Sequence, residues 1–140
     1  MKSDAVRCVL LANRHHGLTE SIRGLLETSF DAVVMVADET SFIESADRLR
    51  PNILVADLAL APGESFGWLR RLLARCPKSR VIVLSTHCEA SVAQAALNAG
   101  AAGFVMKQKI ADQLLEAIEA VQAGKCYLPP DLEPVAKKRS

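Results

Sequence analysis

Residues 52–57 read NILVAD, four apolar side chains in succession bounded by an amide and a carboxylate. A strand with one wet face alternates apolar and polar residues, whereas a strand buried on both faces does not. This run is therefore a strand inside a covered sheet, and Asp57 stands at its carboxyl end. Four similar runs flank it: VRCVLLA (6–12) and AVVMVA (32–37) before it, RVIVLS (80–85) and GFVMK (103–107) after it.

Helical periodicity fills the gaps. Leu18, Ile22, Leu25 and Leu26 make one stripe, Phe42, Ala46 and Leu49 a second, and Phe66, Leu69, Leu72 and Leu73 a third. Val92, Ala95, Ala96 and Ala99 form the fourth, and Ile110, Leu114, Ile118 and Val121 the last. Asp38 and Ser65 are expected N-caps, Gly100 and Gly124 expected stops, and Pro51 and Pro77 close the helices before them. Strands alternating with helices predict an α/β fold whose parallel sheet is covered on both faces. After Gly124 the pattern ends. KCYLPPDLEPVAKKRS (125–140) has three prolines and a basic end, which reads as a linker or tail after a domain spanning 1–124.

Composition narrows the function. A chain of 140 residues suits one domain with a real core. Lys and Arg number 17 against 16 Asp and Glu, so bulk electrostatics gives this domain no hold on nucleic acid. No apolar run approaches the ~20 residues that span a bilayer. The opening MKSDAVRC lacks a signal peptide's apolar segment, and a cytoplasmic location is expected. Cys8, Cys76, Cys88 and Cys126 form no CxxC pair and are read as reduced thiols rather than a disulfide or zinc framework.

In parallel sheets of this kind the chemistry sits at the carboxyl ends of the strands. The residues there are Asn13 and Arg14, Asp38, Asp57, Ser85 and Thr86, and Lys107. Asp57, Ser85 and Lys107 come from three strands and are expected to converge. A carboxylate, a hydroxyl and an ammonium at one edge suit phosphoryl transfer: the first as nucleophile, the others as ligands for phosphoryl oxygens.

On these residues the chain resembles response-regulator receiver domains over roughly its first 124 residues. PNILVADLAL is similar to the family's acceptor strand, placing Asp57 at the phosphoacceptor position. RVIVLSTH resembles the switch strand, with Ser85 at the Ser/Thr position. NAGAAGFVMK resembles the last strand, with Phe104 at the switch aromatic and Lys107 at the invariant lysine. LLEAIEAVQAGKCYLPPDL resembles the last helix and exit of regulators carrying a LuxR-type helix-turn-helix. The resemblance implies a flavodoxin-like, doubly wound (βα)5 fold with strand order 2-1-3-4-5. It implies a signalling switch rather than an enzyme, with at most autocatalytic phosphoryl acceptance at Asp57. A sensor histidine kinase would be the donor and Mg²⁺ the cofactor, and Ser85 and Phe104 would move inward. A protein partner or second copy would dock on the fourth helix, last strand and last helix, or on the first and last helices.

One departure changes that expectation. Receivers end their first strand with two acidic residues that hold Mg²⁺; here those positions are Asn13 and Arg14. The usual pocket has three carboxylates and one lysine. Here Asp57 supplies one negative charge while Arg14 and Lys107 supply two positive ones, and nothing calls for a metal. Magnesium takes hard oxygen ligands, and a guanidinium has none to offer. At ~4 Å its repulsion of a divalent ion is several kcal/mol. No cofactor is therefore expected; if the metal site survived, its ligands would be Asn13, Asp57 and the Ala59 carbonyl. Pro62 also falls five residues after Asp57 rather than the family's four, so the position of Ala59 is open. Arg14 is expected to take the metal's place beside Asp57.

The expected function is an atypical receiver acting through protein contacts, with Mg²⁺-dependent phosphorylation weakened or lost. The alternative is a competent phosphoacceptor controlling transcription through a helix-turn-helix output. A flavin or nucleotide protein shares the fold, but the chain has no GxGxxG and no GxxxxGK[ST]. His15 and His16 are read as loop residues, His87 and Cys88 as a solvated loop beside Ser85, and Trp68 as packing on the third helix.

Overall fold

In the computed structural model the described residues are 8–12, 16–28, 30–57, 66–85 and 90–129. They form β1 (Cys8–Ala12), α1 (His16–Leu26), β2 (Ala32–Val36), α2 (Glu39–Leu49), β3 (Ile53–Asp57), α3 (Gly67–Arg75), β4 (Arg80–Ser85), α4 (Ala90–Asn98), β5 (Gly103–Met106) and α5 (Ile110–Gln122). A 3-10 turn, Lys107–Lys109, joins β5 to α5. All strand pairings are parallel, in the order β2-β1-β3-β4-β5. This is the doubly wound, flavodoxin-like sheet expected from the sequence.

The unbroken apolar runs are explained by two cores, one on each face of the sheet. Alternate strand residues point opposite ways. Leu10, Leu54 and Val83 join Phe42, Trp68, Leu72 and Ala96 from α2, α3 and α4. Val9, Val55 and Ile82 join Ile22 and Leu26 from α1 and Leu114 and Ile118 from α5. Strand β2 lies at an edge and is half-buried along its whole length.

Local signals set the helix ends. Asp38 caps α2: the Ser41 N–H donates to its Oδ1 at 2.8 Å. Arg50 closes that helix in the left-handed region (φ 49), and Pro51 follows. Gly100 follows α4 with φ +112, and a Cβ there would stand 2.5 Å from Leu73 Cδ1. Only glycine meets both constraints. The expected cap Ser65 lies outside the described residues, and Phe66 (φ 64) occupies the N-cap position of α3.

Two stripes need correction. Leu49, expected in the core, is 40% exposed. It is the last residue of α2, where the chain leaves through left-handed Arg50, and Ser45 is buried on the helix instead. In α4 the buried residues are Ala93 and Ala96, while Ala95 faces water. That helix is rotated by part of a turn relative to its apolar pattern, because alanines on several faces leave the angle to packing. Beyond the expected boundary at Gly124, residues 125–129 continue along β5: Gly103 and Tyr127 form a parallel bridge. Among the described residues no helix is long and apolar enough to cross a membrane.

Candidate functional site

Parallel register brings the strand ends level. Ala12 pairs with Ala56 across β1 and β3, Asp57 with Leu84, and Ser85 with Met106. The strand order reverses between β1 and β3, so their carboxyl ends flank the crevice where such sheets place their chemistry. Asp57 is the last residue of β3 and Ser85 the last of β4, each 1% exposed.

Lys107, expected at the carboxyl end of the last strand, follows Met106 as the first residue of the 3-10 turn and is buried. Its Nζ donates to Asp57 Oδ2. Two side chains 50 positions apart in sequence thus form a buried ion pair. Desolvating such a pair costs on the order of several kcal/mol per ion, offset by Coulomb attraction only when the geometry is good.

Phe104, on β5, is fully buried in the core under α2, α3 and α4. Trp68 is also fully buried. Its ring meets Phe42 edge-on, with centroids 6.1 Å apart, and Phe66 at 6.4 Å. Those contacts hold Phe66 in a backbone region that costs a bulky residue about 1–3 kcal/mol.

Gln113 was missed by sequence reasoning. It is 5% exposed on α5, and its Oε1 accepts the Met106 N–H at 3.3 Å. The bond ties the end of β5 to α5 immediately before Lys107. The signal was present: an amide three residues after Ile110 and four before Ala117 interrupts the apolar face of α5. Asn13, Arg14 and Ala59 lie outside the described residues, as do His15, Thr86, His87 and Cys88. Among the described residues no group of three or more His, Cys, Asp or Glu could hold a metal ion. The buried thiols lie elsewhere: burial raises Cys8, and it raises Cys76 against smaller opposing pulls from Arg50 and Arg75.

The doubly wound parallel sheet carries a buried Asp–Lys pair and a buried serine at the carboxyl ends of its strands, a donor set whose chemistry suits phosphoryl groups. Comparison with known proteins places it more closely. Residues 9–119 match the model of the response regulator receiver domain, and the chain belongs to that family. It is 27% identical over 124 residues to the transcriptional regulatory protein DegU of Brevibacillus brevis, covering 87% of this chain and 52% of that protein. The chain thus spans about half the length of that relative. A LuxR-family two-component response regulator from Aurantimonas sp. SI85-9A1 superposes with a TM-score of 0.85 at 27% identity, covering 96% of this chain and 99% of the other. RcsB from Salmonella enterica serovar Typhimurium, bound to promoter P1flhDC in the presence of the phosphomimetic BeF3-, gives 0.77 at 26% identity, covering 96% and 68%. This chain is a receiver domain, similar to receivers of LuxR-family regulators, and receiver domains are in general non-enzymatic signalling domains.

Proposed function

We propose that this receiver signals through protein contacts, with Mg²⁺-dependent phosphorylation of Asp57 weakened or lost. The observation that carries the reading is the buried Asp57–Lys107 pair in a chain whose acid-pair positions are Asn13 and Arg14. A receiver's magnesium would need Asp57 and two further carboxylates. The donor set present is one carboxylate already engaged by an ammonium, one amide, and a guanidinium without a lone pair to give. These residues do not fit a hard divalent cation. Without it, Asp57 is a poorer nucleophile, and nothing orients the donor phosphate. Phe104 at the switch-aromatic position is already inside the core, so inward packing of that ring needs no phosphoryl group.

The partner in this reading is a protein or a second copy, on α4, β5 and α5 or on α1 and α5. The setting is the cytoplasm, where a sensor histidine kinase would be met. The relatives' length supports a transcriptional output carried by a separate domain. Retention of Ser85 and Lys107, both buried at the acceptor edge, favours a second reading, a competent phosphoacceptor whose cations replace the metal as an electrostatic clamp.

One assay separates the two. The chain is incubated with acetyl phosphate, with and without Mg²⁺, and labelling at Asp57 is read by mass spectrometry. The expected result is little or no addition in the natural chain and Mg²⁺-dependent addition in the Asn13→Asp, Arg14→Asp variant. Near-stoichiometric labelling of the natural chain would overturn the reading.

A further inference from the structure

Lys78 and Arg80 stand two positions apart where α3 gives way to β4, and both are exposed. Ser79 between them turns inward, its hydroxyl donating to the Pro51 carbonyl at 2.9 Å. Both cations line an open hollow of about 670 Å³, together with Leu73, Pro77, Ala102 and Cys126. That volume suits a short segment of chain. Other cations at this spacing are engaged: Arg50 bonds to Asp47, and Lys107 to Asp57. Among the described residues Lys78 and Arg80 meet no carboxylate. Arg80 reaches the Val121 carbonyl, at 3.4 Å.

A matching occupant offers two negative charges two residues apart and an apolar group for the walls. The chain contains one such segment. Asp131 and Glu133 are its only acidic residues at that spacing, and Leu132 lies between them. Pro130 and Pro134 bracket the segment and disfavour a helix there. In an extended segment alternate side chains face opposite ways. Two acids can then address the cations while the leucine turns to the apolar walls.

A segment so close in sequence is poorly placed to enter its own hollow. After Cys126 the chain runs beside β5 in the same direction. The Phe104 N–H donates to the Tyr127 carbonyl at 3.1 Å, and the Tyr127 N–H to the Ala102 carbonyl at 3.0 Å. The chain thus leaves the amino end, and Pro129 is already buried. Asp131 follows after two more peptide units, which span at most ~7 Å, less than the ~10 Å travelled from Cys126. A second copy has no such constraint. Exchange of tails gives a closed two-fold dimer in which each hollow holds the partner's segment.

We propose that this hollow is the docking site for residues 131–133 of a second copy, at the end of the sheet opposite Asp57. Surface ion pairs are weak singly and are screened by salt. The dimer is therefore weak, salt-sensitive and set by chain concentration.

The test is sedimentation of the 140-residue chain over a range of concentration and salt. The natural chain is expected to pass from monomer to dimer as concentration rises, and to return as salt is added. One charge-reversed chain carries Lys78→Glu and Arg80→Glu, and the other Asp131→Lys and Glu133→Lys. Each should self-associate at least about tenfold more weakly. Mixed one to one they should dimerise again, because every hollow then meets a segment of opposite charge. Lys78 and Arg80 are exposed, and circular dichroism verifies the fold of each chain. Alkylation of Cys126, which lines the hollow, should slow in step with dimer formation. The proposal is overturned if the natural chain stays monomeric at millimolar concentration or if the mixture stays monomeric. It is equally overturned if the reversed chains dimerise as the natural one does, which would put the interface elsewhere. Slow alkylation at every concentration would mean that the tail covers its own hollow, and would also overturn it.

Discussion

The two ends of the sheet are built from the same apolar strands and yet treat polar groups in opposite ways. At the amino end Arg50, Lys78 and Arg80 stand in water. Lys78 and Arg80 line an open hollow of about 670 Å³ whose walls include Leu73, Pro77, Ala102 and Cys126. At the carboxyl end Asp57, Ser85, Lys107 and Gln113 are all buried. Charge in water costs nothing to keep, whereas buried charge survives only where a partner meets it. The second kind of arrangement is maintained against its desolvation cost, as expected of a functional end.

The sharpest way to break this contrast is to remove one partner of the buried pair. Lys107→Met should deprive the buried Asp57 carboxylate of its ammonium and destabilise the domain by about 3–5 kcal/mol in urea denaturation. Adding Asp57→Leu should recover most of the loss, because the cost lies in keeping that carboxylate buried without the ammonium.

At the amino end the backbone, not the charge, is the sensitive element. Gly100→Ala meets a positive φ and the Leu73 methyl at once, and an expected loss of about 1–3 kcal/mol would appear as a lower urea midpoint.

The thiols extend the contrast to pH. Exposed Cys126 should be alkylated well before Cys8 and Cys76, as read by mass mapping at neutral pH, since burial disfavours their thiolates. Because their folded-state pKa values are raised, the stability they contribute is fully present below the ordinary thiol range. It is lost as pH rises through the folded values, so unfolding should grow easier on the alkaline side.

The smallest effect is expected from Arg80→Ala. Its contact to the Val121 carbonyl is long, at 3.4 Å, and only partly buried, and its removal should change stability by no more than about 0.5 kcal/mol. A larger loss would mean that the amino end also depends on its charges.

Much of this was legible in the chain. NILVAD and its sister runs carry the double burial in their lack of alternation, and Asp38 announces a helix start because a carboxylate before an amphipathic run can accept its first amides. Asp57, Ser85 and Lys107 were legible as strand-end residues. Where legibility failed, several faces looked alike or the partner was remote. The alanines of α4 do not fix its rotation, Leu49 fits its stripe but falls where the chain turns away, and Gln113 reads as an ordinary helical amide until Met106 is seen beside it.

The sequence by itself determined the order of strands and helices, the burial of the sheet on both faces, and the presence of Asn13 and Arg14 just after the first strand. These are properties of local pattern, because periodicity and side-chain chemistry are written residue by residue. Only the tertiary structure decided that the converging Lys107 and Asp57 bond directly, that Gln113 and Tyr127 close the edge of β5, and that Phe104 lies inside. Those contacts join residues distant along the chain, and their energies exist only once the sheet has brought the strand ends level and excluded water from between them.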